Sequence, residues 1–290
     1  MKMMLLLPAI ALAALIAACP AGEAGEAQAE VLRQVQVGSD LLKQDKLEAA
    51  GRVFLVALRE HPDEWLPALG LMRVAGKYLE RGDQEEGLSW INRTVETSKN
   101  KGELHLLAAG LHIRNKNEDE ALRHVRAAVN ERPDSPPVRG AALTCYANLQ
   151  LFDDESREVA EKLIELQEKS VDGNLFLGLW YQYNKENDKA RKHFLRSVFL
   201  DTNNIQSRLA LGKFYEDTKD YKRAEREYIK MTKIAPAHFI GYFCLAELYE
   251  KTGDIDRAKE YADEAARLRE AMARHESSLE GTAAQTAAPQ

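Results

Sequence analysis

Between residues 31 and 268, apolar positions recur three and four residues apart in segments of helical length. Short polar turns separate them, such as Arg81-Gly82-Asp83, Lys219-Asp220 and Thr252-Gly253-Asp254. This spacing gathers the apolar side chains of each segment into one stripe and predicts amphipathic helices joined by tight turns. Pro62, Pro133 and Pro236 follow alternate segments and mark where the second helix of a pair stops.

The pattern also repeats on a longer scale. Leu177-Gly178, Leu211-Gly212 and Leu245-Ala246 recur at an interval of 34 residues, as do Tyr181, Tyr215 and Tyr249, and Ala190, Ala224 and Ala258. Traced backwards, the small residue of the second helix falls at 50, 87, 121, 156, 190, 224 and 258, at intervals of 37, 34, 35, 34, 34 and 34. The earlier copies carry Gly38, Leu41, Phe54 and Ala57; Ala75, Tyr78, Ile91 and Thr94; Val125 and Ala128; and Ala160 and Leu163. Gly178, Gly212 and Ala246 are expected to let the second-helix alanine approach, while the aromatic positions fill space between pairs. One pair cannot bury its own apolar face, but a stack of pairs can.

This arrangement resembles the tetratricopeptide repeat: Leu-Gly-x-x-Tyr in the first helix, Ala-x-x-x-Phe/Tyr in the second, and a late proline. The resemblance implies an all-α, right-handed α-solenoid of about seven helix-turn-helix repeats over 31–268, with first helices lining a concave face that binds peptides or proteins. The last helix continues as a charged cap over 269–280, and 281–290 reads as a disordered tail.

Lys2 precedes an uncharged apolar run from Met3 to Ala18. That run is short for a span, which takes about 20 residues, and it fits a secretory signal. Ile16-Ala17-Ala18-Cys19 resembles the bacterial lipobox. The resemblance implies a lipoprotein signal peptide over 1–18, removal just before Cys19, a diacylglyceryl thioether on its sulfur and acylation of the new N-terminus. Residues 19–30 then form a lipidated tether whose last eleven residues reach roughly 18 Å. Pro20, where Asp would signal inner-membrane retention, implies the outer membrane, facing the periplasm. An uncleaved inner-membrane anchor is the competing expectation.

Composition narrows the function. The 290 residues are 45% hydrophobic and 30% charged, with a net charge of −6. Without a Lys/Arg excess, nucleic acid is not an expected partner. Cys145 and Cys244 fall in first helices of separate copies and are expected to be free and buried. Neither a Gly-rich phosphate loop nor a Gly-x-Ser-x-Gly occurs. His105 and His112 are expected to pack, His124 to be exposed, and no Cys or carboxylate to stand at ligand spacing. No metal, cofactor or enzymatic activity is therefore expected.

The candidate partner face is a first-helix column: Val35, Met72, Leu106, Ala141, Leu175, Leu209 and Phe243. Leu179 and Lys213 lie beside it. A second column, Leu42, Leu79, Ile113, Asn148, Gln182, Glu216 and Glu250, turns from apolar to acidic. These residues either pack between helices or form a groove for an apolar, partly basic segment. Lys213 alone matches the positions of a carboxylate clamp, so a chaperone-type clamp is not supported. The layout is similar to that of type IV pilus pilotins, lipoproteins that help a secretin reach the membrane and assemble. The alternative is an adaptor for cell-wall or exopolysaccharide export machinery.

Overall fold

The computed structural model describes residues 26–285, and the side chains of 28–274. These residues form fourteen helices and no strand. The helices are α1 (Glu26–Lys43), α2 (Leu47–Glu60), α3 (Trp65–Glu80), α4 (Gln84–Thr97), α5 (Lys101–Arg114), α6 (Glu118–Glu131) and α7 (Pro136–Asn148). They continue with α8 (Asp154–Leu166), α9 (Val171–Tyr183), α10 (Asn187–Leu200), α11 (Ile205–Asp217), α12 (Tyr221–Ile234), α13 (Phe239–Thr252) and α14 (Ile255–Gln285). Pro62, Pro133 and Pro236 lie two residues beyond α2, α6 and α12, as their spacing predicted.

The ends differ from the expected boundaries. Helix α1 begins at Glu26, inside the segment read as tether, because Glu26-Ala-Gln-Ala-Glu30 is built of strong helix formers. Helix α14 runs to Gln285 rather than stopping near 280, and no proline interrupts the sequence before Pro289. The signal segment and Cys19 lie outside the described residues. No helix among the described residues is long and apolar enough to cross a membrane.

The chain divides into two compact units, the first ending at Leu151 and the second starting at Phe152. In the N-terminal unit α1–α2, α3–α4 and α5–α6 pack as hairpins, each second helix meets the next first helix, and α1, α3, α5 and α7 touch in series. Its core joins Phe54, Leu58, Leu71, Trp90, Ile91 and Leu104. The C-terminal unit stacks α8 to α14 in the same way around Phe194, Leu211, Phe214, Tyr228 and Leu245. Each unit is thus an α-solenoid of stacked helices. The boundary divides the fourth copy, where five residues separate first and second helix instead of two or three.

All seven first helices end alike. The amide just after the positive-φ residue of each turn donates back to a carbonyl five residues earlier: Lys46 to Leu41, Asp83 to Tyr78, Asn117 to His112, Leu151 to Tyr146, Glu186 to Tyr181, Asp220 to Tyr215 and Asp254 to Tyr249. This closure requires a left-handed residue in the turn. Gly82 and Gly253 supply it without strain, while Asp45, Lys116, Gln150, Lys185 and Lys219 adopt the same conformation as non-glycine residues. In three turns (Asp83, Asp220, Asp254) the residue that closes one helix caps the next, its carboxylate accepting from the amide three residues on. Asn117 does the same with its side-chain carbonyl.

Glycine in the first helix serves a partner other than the expected one. A Cβ on Gly178 would lie 2.5 Å from the Phe194 ring, and one on Gly38 would lie 2.6 Å from Phe54. Gly212 likewise faces Tyr228. The space is taken by the aromatic four residues after the second-helix alanine, not by the alanine itself. Where the first helix carries alanine instead (Ala75, Ala109, Ala246), the equivalent second-helix residue is Ile91, Val125 or Ala262. In the first, second, third, fifth and sixth copies the larger residue faces the smaller, while the seventh sets alanine against alanine. Cys145 and Cys244 are free and buried, as expected, and burial pushes both thiols up to about 12.

Gly178→Ala is expected to lower stability by about 1–3 kcal/mol through overpacking, although alanine is the better helix former by about 1 kcal/mol. Adding Phe194→Leu should recover part of the loss. Urea midpoints of the two variants and the parent test this; a midpoint raised by the single substitution would show that the ring does not set the helix separation.

Candidate functional site

The predicted partner face is partly a packing seam. Val35, Met72 and Leu106 each stand six residues before the carbonyl that closes their helix, and the same offset in α7 gives Gly140 rather than Ala141. Met72 is buried in the core of the N-terminal unit, Val35 packs against that core, and Leu106 is half-buried. In the C-terminal unit Leu209 is buried in the core, with Leu175 and Leu179 packed on it and half-buried. Phe243 is half-buried, and Lys213 pairs with Glu247 at 3.4 Å. Apolar surface open to a partner therefore remains at Val35 and Leu106 in one unit and at Leu175, Leu179 and Phe243 in the other.

The acidic end of the second column also reads differently in three dimensions. Glu216 is buried: it accepts from the Tyr228 hydroxyl at 2.8 Å and is ion-paired with Lys251. Burial opposes its charge, yet the hydrogen bonds from Lys251 and Tyr228 and the nearby Lys213 outweigh it and hold the carboxyl below its usual value. Its charge is spent inside the protein and is not offered to a basic partner. Arg208 and Glu227 form a second buried pair, at 2.7 Å, with Lys230 also on Glu227 at 2.7 Å.

A constellation that sequence spacing missed lies between the helices of each hairpin. Two first-helix residues seven apart meet one second-helix residue nineteen after the first of them. In the fifth copy they are Asn174, Tyr181 and His193: His193 Nδ1 lies 3.2 Å from the Asn174 carbonyl, and Tyr181 stacks on the imidazole at 5.3 Å. In the seventh they are Tyr242, Tyr249 and Tyr261, with ring centroids 6.4 and 5.5 Å from Tyr261. Lys189, Arg223 and Arg257 lie over Tyr181, Tyr215 and Tyr249 at 5.1, 5.6 and 4.2 Å, adding a cation to each ring face.

In the third copy all three places hold histidine. His105 and His124 approach through their Nδ1 atoms at 2.8 Å, and His112 stacks on His124 with centroids 5.3 Å apart. His124 is only 5% exposed, so the expected exposure of this residue is overturned. It faces into the hairpin because its place in α6 is the one filled by Trp90 in α4 and Glu227 in α12. Glu120, one turn before His124, stands where the later copies carry Lys189, Arg223 and Arg257. Nitrogens of His112 and His124 and a Glu120 oxygen lie within 4.8 Å of one another, so a carboxylate does stand at ligand distance. Burial lowers all three imidazoles, and His124, with His105 and His112 also beside it, falls to about 3. The signal in the sequence was the interval of nineteen, visible only once the two helices are folded together.

The tetratricopeptide repeat family model matches residues 205–238 and 241–272. Those two segments are tetratricopeptide repeats. They comprise α11–α12 and α13 with the start of α14. A tetratricopeptide repeat protein from Parabacteroides merdae is 16% identical, with 84% of this chain and 94% of that one covered and a TM-score of 0.60. PilW, described as a widely conserved type IV pilus biogenesis factor, is 16% identical over 67% of this chain and 90% of its own, with a TM-score of 0.52. At these identities the likeness shows the fold alone. No curated protein matches the sequence. The fold is that of a tetratricopeptide-type scaffold, suited to protein–protein interaction.

The histidines set a pH dependence. Held neutral in the folded state, they take up protons on unfolding once the pH drops below their ordinary value of 6.5. Stability is therefore expected to be full above pH 6.5 and to fall progressively toward about 3. Urea midpoints between pH 7 and 5, taken in chelator, measure the slope. His105→Asn with His112→Tyr, which rebuilds the triad of the fifth copy, should flatten it; an unchanged slope would assign the effect to other groups.

Proposed function

We propose that the chain is a non-enzymatic scaffold anchored in the bacterial envelope by a lipid on Cys19, outer-membrane and periplasm-facing, which holds a protein partner on its first helices. The machine it serves is the type IV pilus, and the partner is its secretin. The observation that carries the binding role is the apolar surface left at equivalent first-helix places: Val35 and Leu106 in one unit, Leu175 and Phe243 in the other. With Glu216 paired internally, Glu250 is the acidic residue of that column left exposed, and the ligand is an apolar segment. The lipobox-like Ile16–Cys19 and the fold shared with PilW support the choice of machine.

Intact mass of the membrane-extracted chain, beside Cys19→Ala, tests the anchor. Loss of residues 1–18 with an added diacylglyceryl and acyl mass is expected only in the parent; an unmodified full-length chain would sink it. Crosslinking in envelopes should then recover a secretin, and Phe243→Asp should cut the yield about tenfold or more, the effect of losing an interface anchor. Recovery of wall-building or exopolysaccharide-export components instead would favour the adaptor role.

A further inference from the structure

We propose that His112, Glu120 and His124 form a binding site for one zinc(II) ion, with His105 as the residue that positions His124. The inference is independent of the envelope reading. It starts from two buried nitrogens. His112 and His124 are 1% and 5% exposed, and the Nε2 atom of each has no hydrogen-bond partner. Leaving such an atom unmade in an interior costs about 1–3 kcal/mol. Two in one hairpin call for a common partner. That partner accepts electron pairs, because neutral imidazoles whose Nδ1 is protonated offer lone pairs at Nε2.

His105 accommodates that protonation. Its Nδ1 lies 2.8 Å from Nδ1 of His124, so one of the two carries the proton. With His124 as donor and His105 as acceptor, the bare lone pair of His124 is the one on Nε2. A metal-ligating histidine commonly donates its other ring N–H in this way, which fixes both tautomer and ring orientation. The burial that keeps the imidazoles neutral keeps them available as ligands.

The carboxylate completes the set. Glu120 sits four residues before His124 on α6, and the three ligand atoms lie within 4.8 Å of one another. Atoms bound to one tetrahedral zinc stand roughly 3.3 Å apart, so the three side chains draw together when the ion binds. Two histidines, one carboxylate and a fourth place open to water match zinc chemistry. Glu120 is at present ion-paired with Arg123, whose side chain is 65% exposed and free to turn to water when the metal takes its place. Comparison with the other copies shows how specific this is. Copies five to seven put a cation over a tyrosine at the same places, an arrangement that would repel a metal. The third copy alone combines three imidazoles with an acid there. A bound ion would pin α5 to α6.

The test uses the full chain with Cys19→Ala, which removes a competing thiol. After chelator treatment the protein is dialysed against micromolar zinc and its metal content measured, with thermal unfolding alongside. One zinc per chain and a raised melting temperature are expected. His105→Asn with His112→Tyr, and separately Glu120→Gln, should each weaken binding at least about tenfold and abolish the thermal shift. Glu120→Gln changes a half-buried side chain and keeps the test decisive should the double variant fail to fold. Absence of retained zinc in the parent, or retention that survives either substitution, overturns the site.

Discussion

The close approach of two helices over a missing Cβ governs this structure. Phe54 lies between Gly38 of its own hairpin and Gly70 of the next, where a Cβ at either position would stand 2.6 or 2.5 Å from the ring. One aromatic thus ties a hairpin to itself and to its neighbour. Trp90 does the same between second helices by lying over Gly51. A stack of helices has few long-range contacts, so its stability rests on such nearest-neighbour seams. The ring supplies apolar area and the glycine supplies distance. Neither works without the other, and the first-helix glycines Gly38, Gly178 and Gly212 each face an aromatic ring.

Once the seam is closed by aromatic and aliphatic packing, the polar place beside it is free to vary. The same three positions hold a leucine, a tyrosine and a tryptophan in the second copy, an Asn–Tyr–His set in the fifth, and the buried Arg208–Glu227 pair with Tyr215 in the sixth. In each polar case the buried groups find partners within the hairpin. The third copy satisfies one contact among its imidazoles and leaves two nitrogens over, and the second copy likewise leaves the Trp90 indole N–H without a partner. Repetition sets the third hairpin beside five others of the same helix order, and only the third carries three imidazoles at these places.

The same comparison explains why a partner face is hard to read along one dimension. Equivalent places on successive first helices are occupied by apolar residues whether they face a neighbouring helix or water. Met72 and Leu209 belong to the cores, while Leu106 and Phe243 keep part of their surface. Charge misleads in a similar way, because Glu216 reads as the acidic end of a column and is in fact neutralised by Lys251 and bonded to Tyr228.

The sequence alone determined the fourteen-helix pattern, the turns, the proline stops and the register of the copies. Those follow from interactions within one helix or one turn, whose period of 3.6 and capping chemistry are written locally, and from an interval of about 34 that repeats them. Tertiary structure alone decided that His124 is buried, that Glu120 stands at ligand distance from it, that glycine faces an aromatic rather than an alanine, and that the fourth copy is divided at Leu151. Each of these depends on which side chain arrives from another helix. That is set by how helices stack, and an apolar stripe announces that a face will be covered without naming what covers it.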